Sequence, residues 1–219
     1  MRKLIILAFA VLSLTAFAQT SNRVLVAYFS FTDNTKGIAE KLANVANADL
    51  YRIVPLVAYG SENSNYYDES TRAYQEQYGP ASARPAIEQT LTRTDYDVVL
   101  LGFPIWYEKV PRVVLTFMDT YSFAGKTIIP FCTSGSSGIS AAENELHSTY
   151  TNITWLTGAR LNGKSESELR TWWESFGLTT SIDEVNAGLF DGKAYTISGQ
   201  VAPDDYKGIV IQNGQKRIQ

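Results

Sequence analysis

The chain contains five apolar runs, separated by segments whose apolar residues recur at helical spacing. Continuous apolar runs are typical of strands buried on both faces of a sheet. The predicted strands are 23–29, 50–57, 97–103, 126–132 and 152–157. The predicted helices are 35–46, 84–92, 110–121, 137–148 and 165–176. This alternation predicts an α/β fold with a doubly wound, five-stranded parallel sheet.

Pro55 indicates where the second predicted strand lies in the sheet. Proline is tolerated mainly where a strand lacks a ladder partner on one side. We therefore place this strand at an edge, in the strand order 2-1-3-4-5. The stretch 60–83 is polar, rich in tyrosine and too long for an ordinary connection. It is predicted to be a surface excursion near the functional site, and solvent-facing packing would account equally well for its tyrosines.

The two ends of the chain depart from this alternation. Residues 1–18 have a basic start, an apolar run and the small-residue site Ala16-Phe17-Ala18, which is the pattern of a signal peptide. An uncleaved membrane anchor is the alternative, but the run is short for a spanning helix. The mature protein is therefore expected to be exported, to the periplasm, the cell surface or the medium. The main domain is predicted over 22–178, and 179–219 is predicted to form a short C-terminal β-hairpin tail.

Charge and rare residue types exclude several function classes. The formal charge is −3, and it becomes about −5 without Arg2 and Lys3, which argues against nucleic acid or an anionic membrane as the main partner. After signal cleavage we do not expect an integral membrane protein. One cysteine and one histidine cannot form a metal site. Cys132 lies at a strand end and is predicted to be buried, with a reactive thiol as the alternative.

Three loops follow strands whose carboxyl ends should meet at one edge of the sheet, where doubly wound folds bind ligands. The first loop, SFTDNT, leads into a helix, where free N–H groups and hydroxyls can hold an anion such as a phosphate. Ordinary helix capping is the alternative. The polar residues of this loop are Ser30, Thr32, Asn34 and Thr35.

The other two loops offer contacts of a different kind. The second loop places Trp106 and Tyr107 just after Pro104, where a flat conjugated ring can stack on an aromatic face. The third loop, TSGSSG, offers hydroxyls and N–H donors around two glycines that let backbone approach a ligand closely. Core packing and a flexible turn are the respective alternatives. All three loops follow the strands that such a site requires.

These loops resemble those of the flavodoxin-like family over roughly residues 22–178. The resemblance rests on Ser30-x-Thr32-x-Asn34-Thr35, GFPIWYEKVP and TSGSSG in their expected order. It implies an FMN-binding, electron-transferring protein, either a carrier or a reductase of small acceptors such as quinones. Many flavodoxins carry glycine where this chain has Asp33, so a negative side chain near the phosphate is a departure.

The resemblance also implies which residues contact FMN, and it implies no proton-transfer residue because the flavin carries the redox chemistry. The phosphate contacts would be Ser30, Thr32, Asn34 and Thr35. The ring contacts would be Pro104, Ile105, Trp106 and Tyr107, and the polar edge of the ring would meet Thr133, Ser134, Gly135 and Gly138.

Two further expectations concern the function and the tail. The alternative to a flavoprotein is a flavin-free binding or interaction module that keeps the sheet. The redox partner, a protein or a small electron acceptor, is not identified by the sequence. The C-terminal tail resembles, over a short stretch, the secretion and sorting tails of exported Bacteroidetes proteins.

Overall fold

The computed structural model describes residues 22–178, 194–196, 201–203, 209–212 and 215–218. The predicted signal peptide and most of the predicted tail lie outside these residues. The larger sheet contains β1 (Val24–Tyr28), β2 (Asp49–Arg52), β3 (Val98–Pro104), β4 (Thr127–Thr133), β5 (Thr154–Trp155) and β6 (Ala159–Arg160). The helices are α1 (Asn34–Val45), α2 (Arg72–Tyr78), α3 (Arg112–Thr120), α4 (Ser140–Thr149) and α5 (Glu166–Glu174).

The strands pair in parallel in the order β2-β1-β3-β4-β5, with β6 also paired to β4. This confirms the predicted fold class and order, including the edge position of the second strand. β5 lies within the fifth predicted strand, whereas β6 continues beyond its predicted end at 157, after an interruption around Gly158. A side chain at Gly158 would lie 2.2 Å from the carbonyl oxygen of Pro130, so only glycine allows this close approach.

Alternate strand residues are buried on opposite faces of the sheet. Leu25, Val99 and Ile128 belong to a core that also contains apolar residues of α3 and α4. Val26, Leu100 and Ile129 belong to a second core with α1 and α5. Both faces are covered by helices, which explains why the strands are continuously apolar rather than alternating.

The helix predicted at 84–92 is wrong, because this segment is extended. The N–H of Leu56 donates to the carbonyl of Ala86 at 2.9 Å, and the N–H of Glu88 donates to that of Val54 at 2.8 Å. The segment therefore pairs with the chain just past the edge strand, where Pro55 bridges Ile87. Threonines at 90 and 92 also weaken helix formation.

The excursion at 60–83 contains a helix, α2, between the second and third strands. The sequence interpretation placed the helix of this connection later, at 84–92. The excursion begins with a 3₁₀ turn at Ser61–Ser64 and continues into α2. Thr71 caps α2 through its side chain, which accepts from the N–H of Tyr74 at 3.3 Å. The excursion packs against the loop after β3, so it lies beside the predicted site.

The described part of the tail forms three short strands rather than a simple hairpin. They are β7 (Ala194–Thr196), β8 (Ile209–Gln212) and β9 (Gln215–Ile218). β8 pairs antiparallel with both of the others. The Asn-Gly pair between β8 and β9 in the sequence is a strong hairpin signal that the sequence interpretation did not use.

Candidate functional site

The loop between β1 and α1 turns sharply at Asp33. This residue has φ of 59°, the left-handed region that glycine adopts most easily and aspartate tolerates. The position therefore needs a left-handed backbone, and aspartate supplies it. Its side chain is 64% exposed, and Oδ1 lies 3.9 Å from Nη2 of Arg52 on β2. The carboxylate is thus directed toward a cation and solvent.

The start of α1 leaves two backbone donors unpartnered. The N–H of Lys36 donates to Oγ of Ser30 at 3.2 Å, and that of Gly37 donates to the Asp33 carbonyl at 3.0 Å. Within residues 22–178, the N–H groups of Asn34 and Thr35 have no protein acceptor. Free N–H groups at the positive end of a helix dipole are the type of group that can bind an anion.

The polar side chains of this loop divide into buried and exposed pairs. Ser30 and Thr35 are buried, and the Thr35 hydroxyl lies 2.8 Å from that of Thr133 on β4. Thr32 and Asn34 are exposed, and Asn34 Nδ2 donates to Thr32 Oγ1 at 3.1 Å. The buried pair therefore holds the loop to its neighbours, while the exposed pair faces outward.

A cation flanks this loop, although the sequence of the loop itself contains no arginine. Arg52 Nη2 donates to the carbonyl of Ser30 at 3.3 Å, in addition to its approach to Asp33. Arg52 is far from the loop in sequence, and only the parallel pairing of β1 with β2 brings it there. Its charge offsets that of Asp33 at the edge of the loop.

The loop after β3 is a tight turn with two strained residues. The main chains of Trp106 and Lys109 bond in both directions, at 2.9 and 3.2 Å. Tyr107 and Glu108 between them have φ of 52° and 63°. A turn with positive φ at both central positions normally selects asparagine or glycine. Strain of this kind, about 1–3 kcal/mol per residue, concentrates at functional sites.

The two aromatic side chains of this turn point to different surroundings. Trp106 makes edge-on contacts with Phe29, Phe31 and Tyr59, at centroid distances of 5.4, 6.0 and 4.9 Å. Tyr107 is stacked on Tyr66 of the excursion, with centroids 4.4 Å apart. Tyr107 thus has one face covered by protein, whereas Trp106 lies beside the β1 loop.

The loop after β4 is fixed by Arg160 on β6 and by Asn162 in the turn that follows β6. The N–H of Ser134 donates to Oδ1 of Asn162 at 3.0 Å, and Nη2 of Arg160 donates to the carbonyls of Ser134 and Gly135 at 2.9 and 3.1 Å. A side chain at Gly135 or Gly138 would meet nothing within 4 Å. Neither glycine is therefore required by contacts among the described residues.

The three loops enclose one elongated depression, which we call the trench. Three adjoining cavities form it, of about 220, 340 and 450 Å³. Nine of the twelve predicted site residues line it, namely Thr32, Asn34, Pro104, Ile105, Trp106, Tyr107, Thr133, Ser134 and Gly135. Ser30, Thr35 and Gly138 are not among its lining residues as described, because the first two are buried in the loop and the third lies near the start of α4.

The sequence interpretation missed several residues of the trench. Arg160 and Asn162 line it beside the β1 loop, and Tyr66 lines it beside Tyr107. Arg160 was missed because the fifth strand was predicted to end at 157, three residues too early. Applying the carboxyl-end rule to a longer fifth strand would have found it.

The remaining candidates for chemistry lie outside the trench. Cys132 is fully buried, and burial raises the pKa of its thiol to about 12, so it stays protonated and unreactive. His147 on α4 packs against Trp155 at a centroid distance of 5.0 Å. Among the described residues, no group of metal-ligating side chains and no helix able to span a membrane is found.

Comparison with known proteins agrees with this geometry. A family model described as Flavodoxin matches residues 23–176. A candidate flavoprotein from Bacteroides eggerthii DSM 20697 is 36% identical, covers 73% of this chain and all of its own, and has a TM-score of 0.69. A second, from Bacteroides uniformis ATCC 8492, is 38% identical over 71% of this chain and 99% of its own, with a TM-score of 0.67.

A more distant relative shares the fold alone. The flavoprotein from Lactobacillus acidophilus NCFM, solved in complex with FMN, is 21% identical over 70% of this chain and 99% of its own, with a TM-score of 0.55. A search of the curated proteins gave no match. The match of the family model to most of the described domain, and the identity to the two Bacteroides proteins, establish that the chain belongs to the flavodoxin family.

Proposed function

We propose that this protein is exported, binds FMN in the trench and transfers electrons to or from a redox partner protein or a small acceptor such as a quinone. The observation that carries the proposal is the position of the unpartnered N–H groups of Asn34 and Thr35, beside a trench walled by Trp106. FMN has a phosphate at one end and a flat ring at the other. An anion site next to an aromatic wall fits both ends.

The β1 loop would hold the phosphate. Thr32 and Asn34 line the trench beside the free N–H groups, so they are placed to donate further hydrogen bonds. The Asp33 carboxylate does not prevent this role, because its side chain is exposed and faces Arg52. The buried hydroxyls of Ser30 and Thr35 keep the loop in shape and thereby orient the donors.

The loops after β3 and β4 would hold the ring. Ile105, Trp106 and the segment Thr133–Gly135 line the same cavity of the trench. FMN supplies the redox chemistry when it is bound, while the protein binds it, orients it and limits its contact with water. Glu108 is the one carboxylate among the described lining residues, and it is exposed, so we assign no proton-transfer role.

Trp106 fluorescence should report the ring contact. Trp106→Ala is expected to weaken FMN binding by about 1–3 kcal/mol, by analogy with bases stacked on aromatic side chains. Trp106→Phe should remove most of the FMN-dependent quenching of tryptophan emission, because a tryptophan beside the flavin is the one most strongly quenched. Tyr107→Phe is the matched control and should leave the quenched fraction unchanged. If Trp106→Phe alters neither quenching nor affinity, Trp106 is a packing residue.

Export is proposed from the N-terminal sequence. When the full chain is expressed in a bacterial host, mass spectrometry of the exported fraction should find a protein that begins near Gln19. A protein that is retained inside the cell with residues 1–18 intact would contradict export. That result would not contradict the proposal that the protein binds FMN.

Electron transfer is tested with the mature protein, residues 19–219. Reconstituted protein should absorb near 450 nm, a value approximate for flavins in general. It should bleach reversibly when reduced without oxygen, and it should recover its absorbance when a quinone is added. Protein that never acquires this absorbance, even with added FMN, would favour a flavin-free binding module instead.

A further inference from the structure

Arg160 carries a charge that no described carboxylate balances. Eight arginines lie between residues 22 and 178, and seven of them have a carboxylate oxygen within 4 Å. Within that range, Arg160 alone has no such partner. The seven paired arginines are Arg23, Arg52, Arg72, Arg84, Arg93, Arg112 and Arg170.

Neutral acceptors hold the Arg160 guanidinium in place instead. Nη2 donates to the carbonyls of Ser134 and Gly135, and Nε donates to Oδ1 of Asn162 at 3.0 Å. The two N–H groups of Nη1 have no acceptor among the described residues. A guanidinium fixed by three hydrogen bonds keeps its orientation at little further entropy cost when it meets a ligand.

The fixed charge lies in the trench. Arg160 lines the same cavity as Trp106 and as Thr32 and Asn34 of the β1 loop, and it is the one Lys or Arg among the described lining residues. Glu108 is the one acidic residue there, and it lines a different cavity, with Tyr66 and Tyr67. The cavity of Arg160 therefore has a net positive character that the loops alone would not supply.

We infer that Arg160 makes reduction of bound FMN more favourable by placing an uncompensated positive charge beside the flavin. The inference rests on the proposed function, because it concerns FMN in the trench. Two-electron reduction leaves the flavin ring more negative near neutral pH, and charge near its ring nitrogens is a main determinant of its potential. Arg160 is exposed, so water screens part of this attraction, but a cation held at a fixed position near the ring still stabilises the extra charge. The two-electron midpoint potential is thereby raised.

The test is a potentiometric titration of FMN bound to wild-type protein and to Arg160→Gln. The variant is expected to lose about tenfold in its preference for reduced over oxidised FMN, which for a two-electron couple is a shift of about 30 mV to more negative potential. Arg160→Lys, which keeps the charge, should lie closer to the wild type. Arg170→Gln removes an exposed arginine on α5 and should not change the potential.

A second variant separates charge from loop position. Asn162→Ala removes a side chain that holds both Arg160 and the N–H of Ser134, but it leaves the charge in place. A potential shift in Asn162→Ala as large as in Arg160→Gln would overturn the inference. So would weaker FMN binding in Arg160→Gln with an unchanged potential, which would make Arg160 a phosphate ligand. Failure of the wild type to bind FMN would instead refute the proposed function.

Discussion

Replacing Arg112 with methionine is expected to lower the free energy of unfolding by about 3 kcal/mol. The Arg112 side chain is only 6% exposed, and Nη1 lies 2.7 Å from Oε1 of Glu145 on α4. Its Nε also donates to the carbonyl of Glu76 on α2 at 3.3 Å. Glu145 is partly buried, with 22% of its side chain exposed, so removing Arg112 leaves a carboxylate without its cation, which costs more than the pair contributes. Urea denaturation measures the loss.

The Arg112 variant also tests whether Glu145 stabilises the turn after β3, which lines the trench. Glu145 Oε2 accepts from the N–H of Val110, where the strained turn after β3 ends. The double variant Arg112→Met/Glu145→Leu should be more stable than the single one, because no partly buried carboxylate remains unpaired. Arg170→Gln breaks an exposed ion pair and should change stability by less than about 0.5 kcal/mol. A loss in Arg112→Met as small as that of Arg170→Gln would contradict this account.

Two double substitutions in the β1 loop are expected to differ in their effects on FMN affinity and on the free energy of unfolding. Thr32→Ala/Asn34→Ala should weaken FMN binding by about 1.5–3 kcal/mol per lost bond to the phosphate, with unfolding little changed, because both side chains are exposed. Ser30→Ala/Thr35→Ala should weaken FMN binding and also lower the free energy of unfolding. In this second variant the Thr133 hydroxyl loses its buried partner, which is expected to lower the free energy of unfolding by about 1–3 kcal/mol.

Riboflavin is the control for these loop variants, because it lacks the phosphate. Its affinity should change little in Thr32→Ala/Asn34→Ala. Thr149→Val, which removes an exposed hydroxyl on α4, should alter neither ligand's affinity. Equal weakening of FMN and riboflavin in the exposed pair would mean that the loop does not contact the phosphate.

Much of the fold could be predicted because its signals are local. The apolar runs predict strands covered on both faces, and Pro55 predicts the edge strand, since a missing N–H has a direct consequence for strand pairing. The helix at 84–92 failed for the opposite reason. Its conformation is decided by pairing with Val54 and Leu56, which lie about thirty residues earlier in the chain, and spacing within the segment carries no information about that contact.

The candidate site also contains residues that the sequence could predict and residues that it could not. Loops that follow predicted strands were found from the sequence, because the carboxyl ends of parallel strands meet at one edge. Arg52 and Arg160 were not found from the sequence. Arg52 reaches the β1 loop only through the pairing of β1 with β2, and Arg160 reaches the trench through β6, which follows the interruption in the sheet. The role of Asp33 was also not predictable from the sequence. Its departure from glycine suggested a charge near the phosphate, whereas its left-handed backbone and its approach to Arg52 explain it.

The most direct test of the central claim is calorimetric titration of the flavin-free mature protein with FMN and, in parallel, with riboflavin. We expect one FMN per chain and tighter binding of FMN than of riboflavin, because the free N–H groups at the start of α1 meet the phosphate of FMN alone. Absence of FMN binding, or equal affinity for FMN and riboflavin, would contradict the assignment of the β1 loop as a phosphate site.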